Sequence, residues 1–229
     1  MKFTAVRVTA QKYIQSFFTM FFHCIAPPFC FYCKEFLGER DVFCMRCYQL
    51  IIPVVSTILP VTATKKLKVF AISNYQDPIK SLILAKGRSD IIAARQLGEL
   101  IWSVTYSKNI KFDYLIPIPL HWSRFAKRGF NQAQQMAKVL SSKSGRPVVS
   151  LLKRTKRTKY QAQLTQDARA KNVKEAFILR VVDGKKYRDK HLVIVDDLMT
   201  TGSTLKAAAR QLYRLKPASI TVIVACRVV

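Results

Sequence analysis

Acidic residues are scarce in this chain. Its 229 residues hold 13 Asp+Glu against 39 Lys+Arg, a formal net charge of +26. After position 190 only two acids remain, and they are neighbours, Asp196 and Asp197. Long apolar runs are missing as well. No stretch reaches the roughly 18 apolar residues of a membrane span, so none is expected. The basic start, up to Cys24, has only a short apolar stretch around Phe17 to Phe22, broken by Thr19. No secretory signal is expected from it. Internal repeats and low-complexity tracts are absent. Yet 50% of the residues are hydrophobic, which excludes a disordered basic tail. So large a positive field also disfavours an ordinary metabolic enzyme. It points to a polyanion: nucleic acid, an anionic membrane or a phosphorylated ligand. The excess is local. Residues 121–190 carry 19 Lys+Arg against four Asp+Glu, which favours a patch over diffuse solubilising charge.

Four of the six cysteines form two close pairs, Cys30-x-x-Cys33 and Cys44-x-x-Cys47. Four thiolates so spaced match a tetrahedral, structural Zn²⁺ site, closed to substrate. Residues 28–52 form too small a module to bury a core alone, so metal binding is expected to fold it. A reducing compartment disfavours disulfides, and an iron–sulfur cluster is the alternative. Cys24 is a further candidate ligand. Cys226 sits in an apolar run and reads as a buried hydrophobe.

Before the knob, residues 1–27 place Tyr13, Ile14, Phe17, Phe18, Phe21 and Phe22 at helical spacing. This aromatic helix is expected to pack on the domain, a membrane-surface helix being the alternative. Residues 53–66 read as a linker. From residue 67 to 229 the pattern is α/β. Strands are expected at 69–75, 114–118, 191–195 and 220–226. Helices are expected at Asp77-Pro78, with Asp77 as N-cap and Pro78 at the first helical position, from Asp90, at 131–142 and at 204–215. The alternation predicts a parallel sheet flanked by helices on both faces.

The two late acids close the apolar strand Leu192-Val193-Ile194-Val195. Thr200-Thr201-Gly202-Ser203-Thr204 follows and opens a helix. Such a loop offers backbone N–H groups, hydroxyls and a positive helix end to a phosphate monoester. Asp196 and Asp197 would repel a phosphate directly, so they suit sugar hydroxyls or a hydrated Mg²⁺. The whole stretch from Leu192 to Thr204 closely resembles the phosphoribosyl pyrophosphate (PRPP) loop of type I phosphoribosyltransferases. The resemblance implies that Asp196 and Asp197 face the ribose hydroxyls and that Thr200 to Thr204 cradle the 5-phosphate. In active members the acids also steady an oxocarbenium-like transition state. Lys86-Gly87-Arg88 is the candidate site for pyrophosphate, unless it is simply a basic helix C-terminus.

The basic middle has two parts. Arg124, Lys127 and Arg128 precede Gly129-Phe130-Asn131-Gln132-Ala133. Lys153, Arg154, Lys156, Arg157 and Lys159 are followed by Arg169. The second part lacks a period, and residues 153–175 are expected to form a mobile, solvated loop. These nine cations are the candidate nucleic-acid contacts. Trp122, Phe125, Phe130 and Tyr160 lie among them, and aromatics on a cationic track suit stacked single-stranded bases.

Taken with the cysteine knob, three more stretches are diagnostic: Ile116-Pro117-Ile118-Pro119, the Arg128 to Ala133 stretch, and Arg154-x-x-x-Thr158-x-x-Gln161 with Arg169-x-x-Asn172-Val173. Together with the phosphoribosyl loop they resemble the ComF family of competence proteins, the ComFC/GntX type. The resemblance implies a type I phosphoribosyltransferase-like sheet with an N-terminal Cys₄ zinc module. It also implies a cytoplasmic protein of naturally transformable bacteria, needed for incoming single-stranded DNA. The expected partners are single-stranded DNA, PRPP with Mg²⁺, competence-machinery proteins and the inner-membrane surface. Three alternatives stand beside this: a phosphoribosyltransferase acting on a small acceptor, a GntX-like metabolic role, and an adaptor docking through its zinc knob.

Overall fold

The structure is a computed structural model that describes residues 28–39, 41–86, 90–155, 176–180 and 183–228. The expected N-terminal helix, Cys24, Gly87, Arg88, Lys156, Arg157, Lys159, Tyr160 and Arg169 lie outside the described residues. The chain divides into two compact units, Met1–Gln49 and Leu50–Val229.

In the first unit an antiparallel bridge joins Phe29 to Phe36. The turn between them is closed by Cys30 N–H donating to Glu35 O and Lys34 N–H donating to Cys30 O. A short helix, α1 (Met45–Gln49), follows. Apart from the cysteines, the described core of this unit is Leu37, Val42 and Phe43.

The second unit is built on one five-stranded sheet. Its strands are β1 (Val54–Pro60), β2 (Lys66–Asn74), β3 (Tyr114–Pro117), β6 (His191–Met199) and β7 (Ser219–Arg227), in the order β1-β2-β7-β6-β3. β2, β7, β6 and β3 run parallel, and β1 pairs antiparallel on the edge. Between β2 and β3 lie α2 (Ile79–Lys86) and α3 (Ile91–Val104); between β3 and β6 lie α4 (Trp122–Arg128) and α5 (Gln132–Ser144). A small hairpin, β4 (Leu152–Arg154) with β5 (Phe177–Leu179), precedes β6, and α6 (Ser203–Leu212) joins β6 to β7.

Alternation along the strands divides the core. Leu67, Val69, Ile116, Leu192, Ile194, Val222 and Val224 face one way, onto Leu205, Ala208 and Leu212 of α6 and onto Phe177 of the hairpin. Phe70, Ile72, Leu115, Val193, Val195 and Ile223 are equally buried from the other side, where α3 and α5 contact the strands. Both faces being covered explains the unbroken apolar run of β6.

Two departures from the sequence expectation have plain causes. Residues 53–66 are not a linker: Val54–Pro60 forms an edge strand. Its β-branched residues favour a strand, and an edge tolerates the terminal Pro60 because no ladder N–H is lost there. The helix after Asp77-Pro78 begins at Ile79, past a cis Asp77–Pro78 bond. Asp77 still acts as a cap, since its carboxylate accepts from Ser81 N–H and Oγ.

α3 and α5 approach closely at Gly98. A Cβ there would lie 2.9 Å from Val139 Cβ and 3.2 Å from the Met136 backbone. Neither neighbour is the far end of a flexible side chain, so the helices must part. Gly98→Ala is therefore expected to lower stability by about 1–3 kcal/mol. This outweighs the roughly 1 kcal/mol helix-propensity gain. The midpoint of denaturant unfolding measures it, and an unchanged or raised midpoint refutes the close approach.

Candidate functional site

The carboxyl end of β6 carries the acid pair and leads into the Thr200 to Thr204 loop. β6 is central, and it pairs with β3 up to Pro117 opposite Val195. Asp196 is therefore the first residue past the β3 ladder, while on its other side it still pairs with Val224 of β7. Asp196 and Asp197 are both half-buried. One Asp196 carboxylate oxygen accepts the Asp197 N–H at 2.9 Å, which orients the pair.

The Thr200 to Thr204 loop turns the chain into α6. Gly202 occupies the helix N-cap with φ +70° and makes no side-chain cap. The N-caps of α3, α4 and α5 differ: Asp90, His121 and Asn131 each accept an N–H of the following turn. The first turn of α6 thus keeps amides for an outside acceptor, with the positive helix end behind them. Thr201 Oγ1 and Ser203 Oγ lie 3.1 Å apart on the same turn. Leu59 of β1 covers the glycine, so that a Cβ at Gly202 would meet its δ-carbons at 2.7 and 2.8 Å.

Behind the loop Arg227 ties three strands together. Its Nε donates to Asn74 Oδ1 at 2.8 Å and an Nη donates to Thr57. It sits opposite Met199 in register. Sequence reasoning missed this arginine; the only available signal is a cation ending an otherwise apolar strand.

Of the basic candidates, Arg124, Lys127 and Arg128 all lie on α4, none of whose residues is buried. The excursion carrying α4 is pinned at both ends beside the acid pair. Ile118 N–H donates to Val195 O at 2.9 Å, and Asn131 Nδ2 donates back to Ile118 O at 2.9 Å. Lys153 is exposed, whereas Arg154 is half-buried with its guanidinium 5.4 Å from the Phe177 ring centre. Burial pushes the Arg154 pKa down, Arg124 adds to this, and Asp196 acts against it. Arg154 thus lies within electrostatic reach of both Asp196 and Arg124. Among the aromatics Trp122 is 74% exposed and Phe125 51%, while Phe130 is buried. Lys86 ends α2.

The four cysteines converge. The sulfurs of Cys30, Cys33, Cys44 and Cys47 all lie within 4.8 Å of one another. A tetrahedral thiolate site with bonds of about 2.3 Å needs sulfur separations near 3.8 Å, so the cluster fits a metal ion. Burial opposes ionisation of Cys30, but backbone hydrogen bonds from Cys44, Cys33 and Tyr32 outweigh it and hold its thiol at about 6. Cys33 and Cys44 are 3.5 Å apart, with Glu35 bound to Arg46 at 2.8 Å beside them. The Arg46 hydrogen bond is the main cause keeping Glu35 below the usual carboxylate range. Cys226 is buried in β7, as expected. Among the described residues no helix is long and apolar enough to cross a membrane.

Known proteins resemble this chain. The phosphoribosyl transferase domain model matches residues 91–228, from α3 to the end of β7. Competence protein F of Haemophilus influenzae is 31% identical over 155 residues, 65% of this chain and 67% of that protein. The DNA utilization protein YhgH of Escherichia coli O6:H1 is 31% identical over 70% of this chain and 72% of its own. Competence protein ComFC of Bacillus subtilis is 30% identical over 66% and 60% respectively. A purine phosphoribosyltransferase from Pyrococcus horikoshii overlaps 65% of the chain at 16% identity, with a TM-score of 0.30. The carboxyl-edge acids with their phosphate-type loop, the four-cysteine knob and these relatives agree: the chain belongs to the ComF family, with a phosphoribosyltransferase domain.

Proposed function

We propose that this protein handles single-stranded DNA in the bacterial cytoplasm during DNA uptake or use, and that its edge pocket binds PRPP. The observation that carries the proposal is the cationic helix α4, none of whose residues is buried, pinned beside Asp196. Strand phosphates would be met by Arg124, Lys127 and Arg128, extended by Lys153, Lys156, Arg157, Lys159 and Arg169. Counterion release then makes affinity steeply salt-dependent. In the pocket the amides of the α6 first turn, with Thr200, Thr201, Ser203 and Thr204, would take the 5-phosphate. Asp196 and Asp197 would hold the ribose hydroxyls. Mg²⁺ arriving with PRPP would offset the pyrophosphate charge. Zn²⁺ is the ion we assign to the four cysteines, in a structural role.

The test is oligonucleotide affinity across a salt series. Reversing Lys127 and Arg128 to glutamate should weaken single-strand binding and flatten the slope of log affinity against log salt by about 0.7 per cation removed. Salt-insensitive binding, or none, would falsify the DNA reading. A second reading has its own support in the half-buried acid pair, which is what phosphoribosyl transfer to a small acceptor requires. Its sign would be pyrophosphate release from PRPP in the presence of an acceptor base, lost in Asp196→Asn.

A further inference from the structure

α4 is an unusual place for large aromatics. It has seven residues and buries none of them. Its conformation is fixed from its ends. His121 caps the start, its Nδ1 taking the Ser123 N–H and lying 2.9 Å from Ser123 Oγ. Gly129 ends it in the left-handed region at φ +77°. Core packing therefore holds none of the side chains between, although Ser123, Arg124 and Arg128 are partly covered. Polar residues would serve a solvated helix better, yet Trp122 and Phe125 stand 74% and 51% exposed. Three positions apart, they project from the same side of the helix. The buried His121 ring supports the indole from behind, at 5.6 Å and 41°. Arg128, three positions after Phe125, adjoins that side, while Arg124 and Lys127 lie further round the same helix, and Arg124 is the one whose charge reaches Arg154.

We infer that α4 is a nucleobase-stacking platform, on which Trp122 and Phe125 hold unpaired bases of a single strand while the neighbouring cations hold its phosphates. The inference rests on the DNA reading above and deepens it. The occupant follows from the chemistry. Flat apolar rings among cations, with no acid between residues 114 and 166, match a polymer that alternates aromatic bases with phosphates. Paired bases are stacked already and cannot lie on the rings, so a duplex is discriminated against. A peptide partner would need carboxylates to meet the cations and would gain little from two isolated rings.

The chain has two tryptophans, and the other, Trp102 in α3, is half-buried. In a Trp102→Phe background the fluorescence reports Trp122 alone. A thymidine oligonucleotide should quench it at saturation, and a duplex of equal length should not. Trp122→Ala should weaken single-strand affinity roughly 5- to 100-fold, and Trp122→Phe should restore most of that. Because no cation is removed, the salt slope should stay as in wild type. This last readout separates stacking from electrostatics. Salt-dependent binding by Trp122→Ala and Phe125→Ala at wild-type affinity overturns the platform and leaves the DNA reading standing. Equal quenching by the duplex, or quenching by a free nucleotide with oligonucleotide affinity untouched by Trp122→Ala, overturns it also. Wild type that binds no oligonucleotide removes both readings.

Discussion

Cys30→Ser is expected to abolish metal binding by the four-cysteine knob and to unfold residues 28–49, while the sheet unit keeps its protected amides. Magnitudes decide this expectation. Ordering roughly twenty residues costs about 1–2 kcal/mol each in backbone entropy. Against this the described unit buries three large apolar side chains besides its cysteines, Leu37, Val42 and Phe43. Each contributes about 1.5–3 kcal/mol, so together they fall well short. A structural Zn²⁺ contributes about 10–16 kcal/mol in small finger domains, the missing term. Cys30 is the ligand to remove, because its sulfur is fully buried and it anchors the turn through Glu35 and Lys34. Metal content per chain and hydrogen exchange are the measurements. The amides of Cys30, Phe31, Leu37 and Tyr48, all bonded in the wild-type knob, should lose their protection. Amides of β6 and β7 should retain theirs. Cys226→Ser, which alters a thiol in the other unit, should keep the metal. A metal-free Cys30→Ser chain that still protects the four knob amides would refute the structural role.

The chemistry was more legible in the sequence than the surfaces that frame it. Thiolate pairs announce themselves by spacing, because a tetrahedral site needs two close pairs on a chain that doubles back. The acid pair was equally plain. Only an apolar run buried on both faces ends so abruptly in two charges, and β6 does so one residue beyond its β3 ladder. Exposure was not legible. Phe130 and Phe125 are five residues apart in the same basic stretch, yet one is buried and the other half in solvent. That difference arises because Asn131 bonds Ile118 and pulls Phe130 inward, a tertiary fact with no local period. The same holds for Lys153 and Arg154: the pleat sends one out and the other onto Phe177. Edge strand β1 was hidden because turn-forming prolines flank its β-branched residues. Its Leu59 proves to cover the phosphate-type loop.

That cover makes Gly202 the position where a small change has the largest effect on the pocket. Its φ of +70° is the left-handed region, which costs a residue with a Cβ about 1–2 kcal/mol and a β-branched one more. Alanine would also press on the Leu59 δ-carbons at 2.7–2.8 Å. The two penalties differ in kind. Leu59 is a flexible side chain at the sheet edge and can turn aside. The backbone cannot leave its region without re-aiming the amides of Ser203 and Thr204. Each hydrogen bond lost to a charged phosphate is worth about 1.5–3 kcal/mol, so Gly202→Ala should weaken the proposed PRPP binding roughly ten- to hundredfold. Gly202→Val should abolish it. Leu59→Ala alone should bind PRPP nearly as wild type, and it should fail to rescue Gly202→Ala, with a coupling below about 0.5 kcal/mol. Calorimetric titration of the four proteins of the cycle decides the matter. Rescue by Leu59→Ala would show that steric cover, not backbone conformation, sets the loop. Unchanged PRPP affinity in Gly202→Ala would remove the amide cradle from the site altogether.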